Sequence, residues 1–408
     1  MRQSATGLCP SGISGPGAVS NMEVADMAGN TDKPDGKPSL CLTVDVEDWY
    51  HILQSPAVPS IVHWSGLESR IERNLDKLLK LLDSASGKCT LFWLGWVAER
   101  HKEMVRKCWA AGHEIACHGY AHVLAHEVGR QAFWEDITRA KAVLEDIIGE
   151  PVRGFRAPGF CIANETAWAF DMIKEAGYHY DTSVFPASRS YGGMPGTILG
   201  PHFIETHNGH LLEIPVSVVQ VFGWKACLFG GGYLRLATKP MIRWGLDKLK
   251  AIGRPPVVYV HPREIDPYHP RLPLSAAKRF RCYTRLKSTL SKLEWLCRDY
   301  QLRSVLETVE SYIKSFYFEA KTLPVLSLAD GHRLDPPDLW LAGGAPTSLP
   351  TNQSYRARLL EVERMMSTFI GSGDPTPPIR MADLADPTTV EEPHIRTAHS
   401  LILDDATR

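Results

Sequence analysis

Short apolar runs alternate with helical patterns along the first half of this chain, and that alternation constrains the fold more than any other feature. Residues 40–44 are apolar or β-branched and read as a buried strand. Leu75, Leu78, Leu79 and Leu82 then form one stripe of a helix running from about Leu67 to Leu82, ended by Gly87. Thr90–Trp96, His113–Cys117, Gly154–Arg156 and Tyr178–Asp181 read as further strands. Val97–Ala110, Gln131–Ile148 and Glu165–Ala176 read as the helices among them. Strand and helix taking turns in this way predict a parallel sheet or barrel.

The pattern weakens from 185 to 256, where Gly- and Pro-rich loops surround a strand-like Leu211–Val219. Val257–His261 restores a strand, Tyr283–Asp299 a helix, and Leu302–Lys314 a last strand and helix. The expected organisation is a disordered leader over 1–38, an α/β domain over 39–317 whose second half (about 190–317) is distinct, and a mostly disordered tail over 318–408. Only Tyr355–Phe369 looks helical in that tail.

A net charge of −1 gives no electrostatic case for nucleic acid or an anionic surface. The nine cysteines are scattered without a Cys-x-x-Cys, which reads as buried free thiols in a reducing compartment. No run of about 18 apolar residues marks a transmembrane helix, and no apolar segment marks a secretory signal. The expectation is a cytoplasmic protein, at most peripheral to the inner membrane, with its oligomeric state left open by the sequence.

Polar clusters follow the strands. Asp45, Glu47 and Asp48 end the first, and carboxylates so close repel unless a cation or a proton lies among them. His118 and His122 follow the third, at a spacing that brings two imidazoles together on one helical turn. Arg156 and His261 follow later strands. In a parallel barrel all these ends converge on one face. One carboxylate and two histidines would make a three-ligand site with a position left open, as in catalytic zinc. Trp93, Trp96, Trp134 and Trp168 have spacings that suit core packing.

The order Asp45-x-Glu47-Asp48, His118-x-x-x-His122, Arg156-Ala-Pro-Gly-Phe160, Tyr180-Asp-Thr-Ser183 and apolar strand–His261 resembles the polysaccharide deacetylase family (NodB homology, carbohydrate esterase family four) over about 40–315. Asp-Val-Glu-Asp-Trp, Phe222-Gly-Trp224 and His261–Pro267 resemble a subgroup from exopolysaccharide loci beside exosortase-type systems. The resemblance implies a distorted (β/α) barrel that hydrolyses N-acetyl groups from a glycan with a divalent metal, most often Zn2+. It implies Asp45 as catalytic base, Arg156 as its holder, His261 as general acid and Asp181 as the residue that orients His261. It implies His118 and His122 as metal ligands, with an oxyanion donor near Gly159 and Phe160 at the substrate; Gly159 replaces an aromatic residue often found at that position, which removes one substrate wall. Trp49 and Trp224 are further candidates to line the sugar site. The family's usual adjacent Asp-Asp is absent. Strand alternation places residues 45 and 47 on one face and favours Glu47 as third ligand, with Asp48 as the alternative.

Two other readings compete: an allantoinase-like hydrolase of a small amide on the same barrel, and a catalytically silent glycan-binding protein. A groove open at both ends would favour a polymer, and a closed pocket a small amide. Loss of the base, a metal histidine or the acid would favour the silent binder, and all are present.

Overall fold

The computed structural model describes residues 36–189, 192–222, 224–318 and 325–326. The expected leader and tail, with the helix at Tyr355–Phe369, lie outside these residues apart from their innermost positions. The strands are β1 Ser39–Val46, β2 Thr90–Trp93, β3 Glu114–Cys117, β4 Gly154–Phe155, β5 Tyr180–Asp181, β6 His202–Thr206, β7 Gly209–Glu213, β8 Val219–Val221, β9 Trp224–Ala226, β10 Val257–Val260, β11 Gln301–Arg303 and β12 Val325–Leu326. One sheet runs in the order β10-β1-β2-β3-β4-β5-β7-β6-β12, with β11 beside the start of β1, while β8 and β9 form a separate hairpin. Every pairing in the large sheet is parallel except that of β6 with β7.

Alternation along β1 separates two layers. Leu40, Leu42, Val44 and Val46 pack outward with apolar side chains of the flanking helices, among them Leu75, Leu78 and Leu82 of helix Ile71–Ser84. Cys41 points inward and shares a cluster with Phe92, Ala116, Tyr180, Leu212 and Val257. In a flat sheet β10 and β7 would lie about 29 Å apart at roughly 4.8 Å per strand. Here Val305, Val309 and Tyr312 of one helix, Val305–Phe318, join inward residues of both strands in that cluster, so the sheet is curled around it. The start of that helix is tied to the strands, with Val305 N–H donating to Thr90 Oγ1 (2.7 Å) and Leu306 N–H to Glu114 Oε2 (3.0 Å). The architecture is the distorted (β/α) barrel expected from the sequence.

Several boundaries differ from the sequence reading. The strand read to Trp96 stops at Trp93, because helix Gly95–Arg100 starts there. The strand read over Leu211–Val219 is two strands, β7 and β8; Pro215 lies between them and has no N–H to continue a ladder. Its partner β6 was read as loop. The helix read over Tyr283–Asp299 begins earlier and divides into Ala276–Tyr283 and Lys287–Asp299, around Arg285 at φ +56°.

Candidate active site

Register places the polar residues. Val46 pairs Trp93, Trp93 pairs Cys117, Cys117 pairs Phe155, and Phe155 pairs Asp181. Glu47, His118, Arg156 and Thr182 therefore stand one residue beyond a common edge. Val44 pairs Val260 of β10, which sets His261 beside Asp45.

Both metal-candidate histidines converge on one carboxylate oxygen. His118 Nε2 lies 3.3 Å and His122 Nε2 2.9 Å from Glu47 Oε1, all three side chains being buried. His118 Nδ1 lies 2.7 Å from the Arg156 carbonyl. A carbonyl only accepts, so Nδ1 carries a proton and Nε2 is the nitrogen that faces Glu47. Either a proton or a cation then has to lie between Nε2 and the Glu47 oxygen. Burial pushes the Glu47 carboxyl up, but His122 and His261, with hydrogen bonds from both metal-candidate histidines, outweigh it and hold it well below the usual range. One carboxylate and two imidazoles, with ligand atoms within 4.8 Å of one another, fit a divalent cation of the zinc type.

The histidines do not meet on a helical turn, as their spacing predicted. Residues 118–124 form a loop in which Gly119 (φ +75°) and His122 (φ +58°) take left-handed conformations. Asp136 holds that loop by accepting from Tyr120 N–H at 2.7 Å and Ala121 N–H at 2.8 Å. Burial, partly offset by these bonds, pushes the Asp136 carboxyl up to about 6.

Asp45 is held by a buried guanidinium. Arg156 NH1 donates to Asp45 Oδ1 (2.6 Å) and Thr43 Oγ1 (2.8 Å), and Nε to Thr182 Oγ1 (2.6 Å). The guanidinium lies over the Phe92 ring, 4.2 Å from its centroid. Its planar fork satisfies three acceptors at once, which a lysine could not do. His261 completes the cluster, its Nε2 lying 3.7 Å from Glu47 Oε1 and 3.9 Å from Asp45 Oδ2.

The partner of His261 is not the one the resemblance implied. Asp181 accepts from Ser183 Oγ (2.6 Å) and Ser183 N–H (3.0 Å) and faces Glu213 across the β5–β7 pairing. Burial and the neighbouring Asp181 charge push the Glu213 carboxyl well up. His261 Nδ1 instead lies 3.1 Å from Glu264 Oε2, which also accepts the His261 backbone N–H at 3.1 Å. Arg235 NH1 donates to the other oxygen of Glu264. Burial raises Glu264, but Arg235 and His261 outweigh it and bring the carboxyl to about 2. Burial pulls His261 down, yet Glu47 and Glu264 leave it above the ordinary histidine value.

Asp48, the alternative third ligand, is committed elsewhere. Its carboxylate accepts from Trp49 N–H and Arg70 N–H, each at 2.9 Å. Trp49 is buried, with its indole N–H donating to the Glu68 carbonyl at 2.9 Å, so it packs in the core and makes no sugar-facing wall. Phe160 is also buried, packed against Phe185 in a tilted and against Tyr259 in an edge-on ring contact. It follows Gly159 in a tight turn where both have positive φ (62° and 56°). Trp224 stands 82% exposed on the β8–β9 hairpin, outside the cluster of buried side chains. The sequence reading missed Glu264, Arg235 and His51. His51 Nδ1 accepts from the Asp48 N–H at 3.0 Å, and its ring centroid is 5.9 Å from that of His122. Burial and the charge of His122 hold it well below the ordinary value and therefore neutral. The Asp-Val-Glu-Asp-Trp-Tyr-His run was the signal available for it.

Residues 33–180 match the family model described as polysaccharide deacetylase, and residues 182–310 match a domain of unknown function, DUF3473. A peptidoglycan-N-acetylglucosamine deacetylase of Bacillus cereus is 31% identical over 102 residues, 25% of this chain and 46% of that protein. A peptidoglycan deacetylase of Helicobacter pylori is 29% identical over 115 residues, 28% of this chain and 38% of that protein. The chain thus covers less than half the length of these curated relatives. A crystal structure from Mycobacterium smegmatis, assigned as a polysaccharide deacetylase, is 21% identical with a TM-score of 0.48, covering 72% of this chain and 96% of that one. A score below 0.5 does not bear on the fold, which rests on the strand order above. The first family model spans every strand end that carries Asp45, Glu47, His118, His122 and Arg156, so it is residues 33–180 that match the polysaccharide deacetylase family.

Proposed function

We propose that this chain hydrolyses N-acetyl groups from an N-acetylated glycan, with Glu47, His118 and His122 holding a divalent cation, Zn2+ being the best match to the donor set. Such a cation would supply Lewis acidity to an amide carbonyl and to water. The protein's own groups do the rest. Asp45, held by Arg156, takes a proton as water adds to the acetyl carbon. The carbon–nitrogen bond then breaks, and His261 gives its proton to the departing nitrogen. The products are acetate and a free amine, and no other reactant is needed.

One observation carries the reading: two imidazole nitrogens converge on Glu47 within 3.3 Å, with a guanidinium-held carboxylate and a third imidazole alongside. Water-excluding burial strengthens each of these interactions. The subgroup resemblance points to an intermediate of exopolysaccharide synthesis as the glycan. Among the described residues no helix is long and apolar enough to cross a membrane. The test is acetate release from N-acetylglucosamine oligomers by purified protein of known metal content. Metal-dependent release is expected, and no release from any N-acetylated oligomer by the metal-loaded protein would refute the reading.

A further inference from the structure

Residues 182–310 contribute a buried polar chain to the site, and nothing in the name of the matching domain says what that segment does. Glu264 is only 1% exposed and Arg235 2%, yet the two are 29 positions apart and come from different elements. Arg235 lies in helix Gly231–Leu236 and also donates through Nε to the Thr284 carbonyl at 3.1 Å. The C-terminal carbonyls of that helix are satisfied from a third element. Lys292 Nζ donates to Leu234 O (2.7 Å), Arg235 O (2.8 Å) and Ala237 O (2.8 Å). A buried charge this well supplied with partners is fixed in one geometry, since releasing any link leaves an unpaired charge behind.

We infer that this segment supplies the proton-donating side of the site, with Glu264, held by Arg235, as the positioning residue that decides which nitrogen of His261 faces Asp45 and Glu47; the role of His261 rests on the hydrolase reading above. Glu264 Oε2 can only accept from Nδ1, so Nδ1 carries a proton and Nε2 is turned toward the two carboxylates. Arg235 occupies the other oxygen and prevents the carboxylate from rotating away. Asp181, engaged by Ser183 and Glu213, takes no part in this clamp.

Glu264→Gln makes a sharp test. Arg235 and the His261 backbone N–H only donate and sit on opposite oxygens of Glu264, so the single oxygen of glutamine cannot serve both; when it serves Arg235, its NH2 faces His261 Nδ1. His261 then has to accept at Nδ1, and its neutral form moves the proton to Nε2. Nitrogen-15 NMR of histidine-labelled protein, recorded at a pH high enough to leave the ring neutral, is expected to show an Nδ1–H His261 in the wild type and in Asp181→Asn, but a substantial Nε2–H population in Glu264→Gln. In the same variant kcat on an N-acetylated oligomer is expected to fall about 10- to 100-fold at unchanged KM and metal content. A wild-type tautomer in Glu264→Gln, or loss of that tautomer in Asp181→Asn, overturns the inference. Should Glu264→Gln not fold, Glu264→Asp keeps the charge but shortens the reach. A mixed tautomer is expected there, and the wild-type tautomer would again overturn the inference. The NMR result is independent of turnover, so an inactive wild type would refute the hydrolase reading while leaving the clamp open to its own test.

Discussion

Up to Asp181 the chain builds its share of the site from parallel strand ends; beyond it, the site is reached through turns and buried ion pairs. In the first region Glu47, His118 and Arg156 each stand one residue past a strand whose register with its neighbour fixes their height. In the second, His261 also follows a strand, but its orientation depends on Glu264 in a 3-10 turn and on Arg235 in a distant helix. Backbone pairing sets the height of Glu47 and His118, two of the proposed metal ligands, and side-chain charge orients His261, the proposed proton donor. The two regions should therefore respond differently to substitution.

The largest expected effect is in the first region. Glu47→Ala removes the oxygen on which both histidines converge, so bound metal and turnover should both fall by at least about 100-fold, more than loss of an outer-sphere partner costs. Elemental analysis together with acetate release checks this, and normal metal content would move the third ligand elsewhere. A smaller effect sharpens the contrast in the second region. His202 is fully buried, its Nδ1 bound to the Gly200 carbonyl at 2.9 Å, and burial lowers its pKa from 6.5 to about 4. A histidine depressed in the folded state is neutral in both states above pH 6.5. Its contribution is lost as pH falls from 6.5 through 4, where the unfolded chain takes up the proton first. His202→Gln should reduce the acid sensitivity of the fold in that window by up to about 3 kcal/mol. Urea titrations at pH 7 and pH 4 measure it, and equal sensitivity in both proteins would refute it. The smallest effect concerns Asp48. Asp48→Asn should cost about 1–2 kcal/mol of stability by weakening its bonds to two backbone N–H groups, with metal affinity unchanged. A tenfold loss of metal affinity would make Asp48 a ligand after all.

The same contrast explains what could be read from the sequence. The first region was legible because period and position suffice there: alternation along β1 puts Asp45 and Glu47 on one face, and strand ends converge in any parallel barrel. Even there, the His118–His122 loop was misread as a helical turn, since its shape depends on Asp136 and on left-handed residues that spacing does not reveal. In the second region Glu264 follows His261 by three positions, but nothing nearby in the sequence marks it as buried. Its burial follows from Arg235, 29 positions away, and no local pattern signals that contact. Asp181 matched a family motif, but Ser183 engages its carboxylate and the β5–β7 pairing sets it opposite Glu213, away from His261. Trp49 looked like a sugar platform because aromatic residues beside acids often are; the Glu68 carbonyl that receives its indole N–H is 19 residues on.

The division between a metal-binding side and a proton-donating side is tested most directly by His261→Ala, with bound metal per chain and acetate release measured on the same preparation. The account predicts wild-type metal content with turnover lowered by about 10²–10⁴-fold, the usual worth of a general acid. Unchanged turnover with metal still bound would contradict it and leave the departing nitrogen without its proton donor.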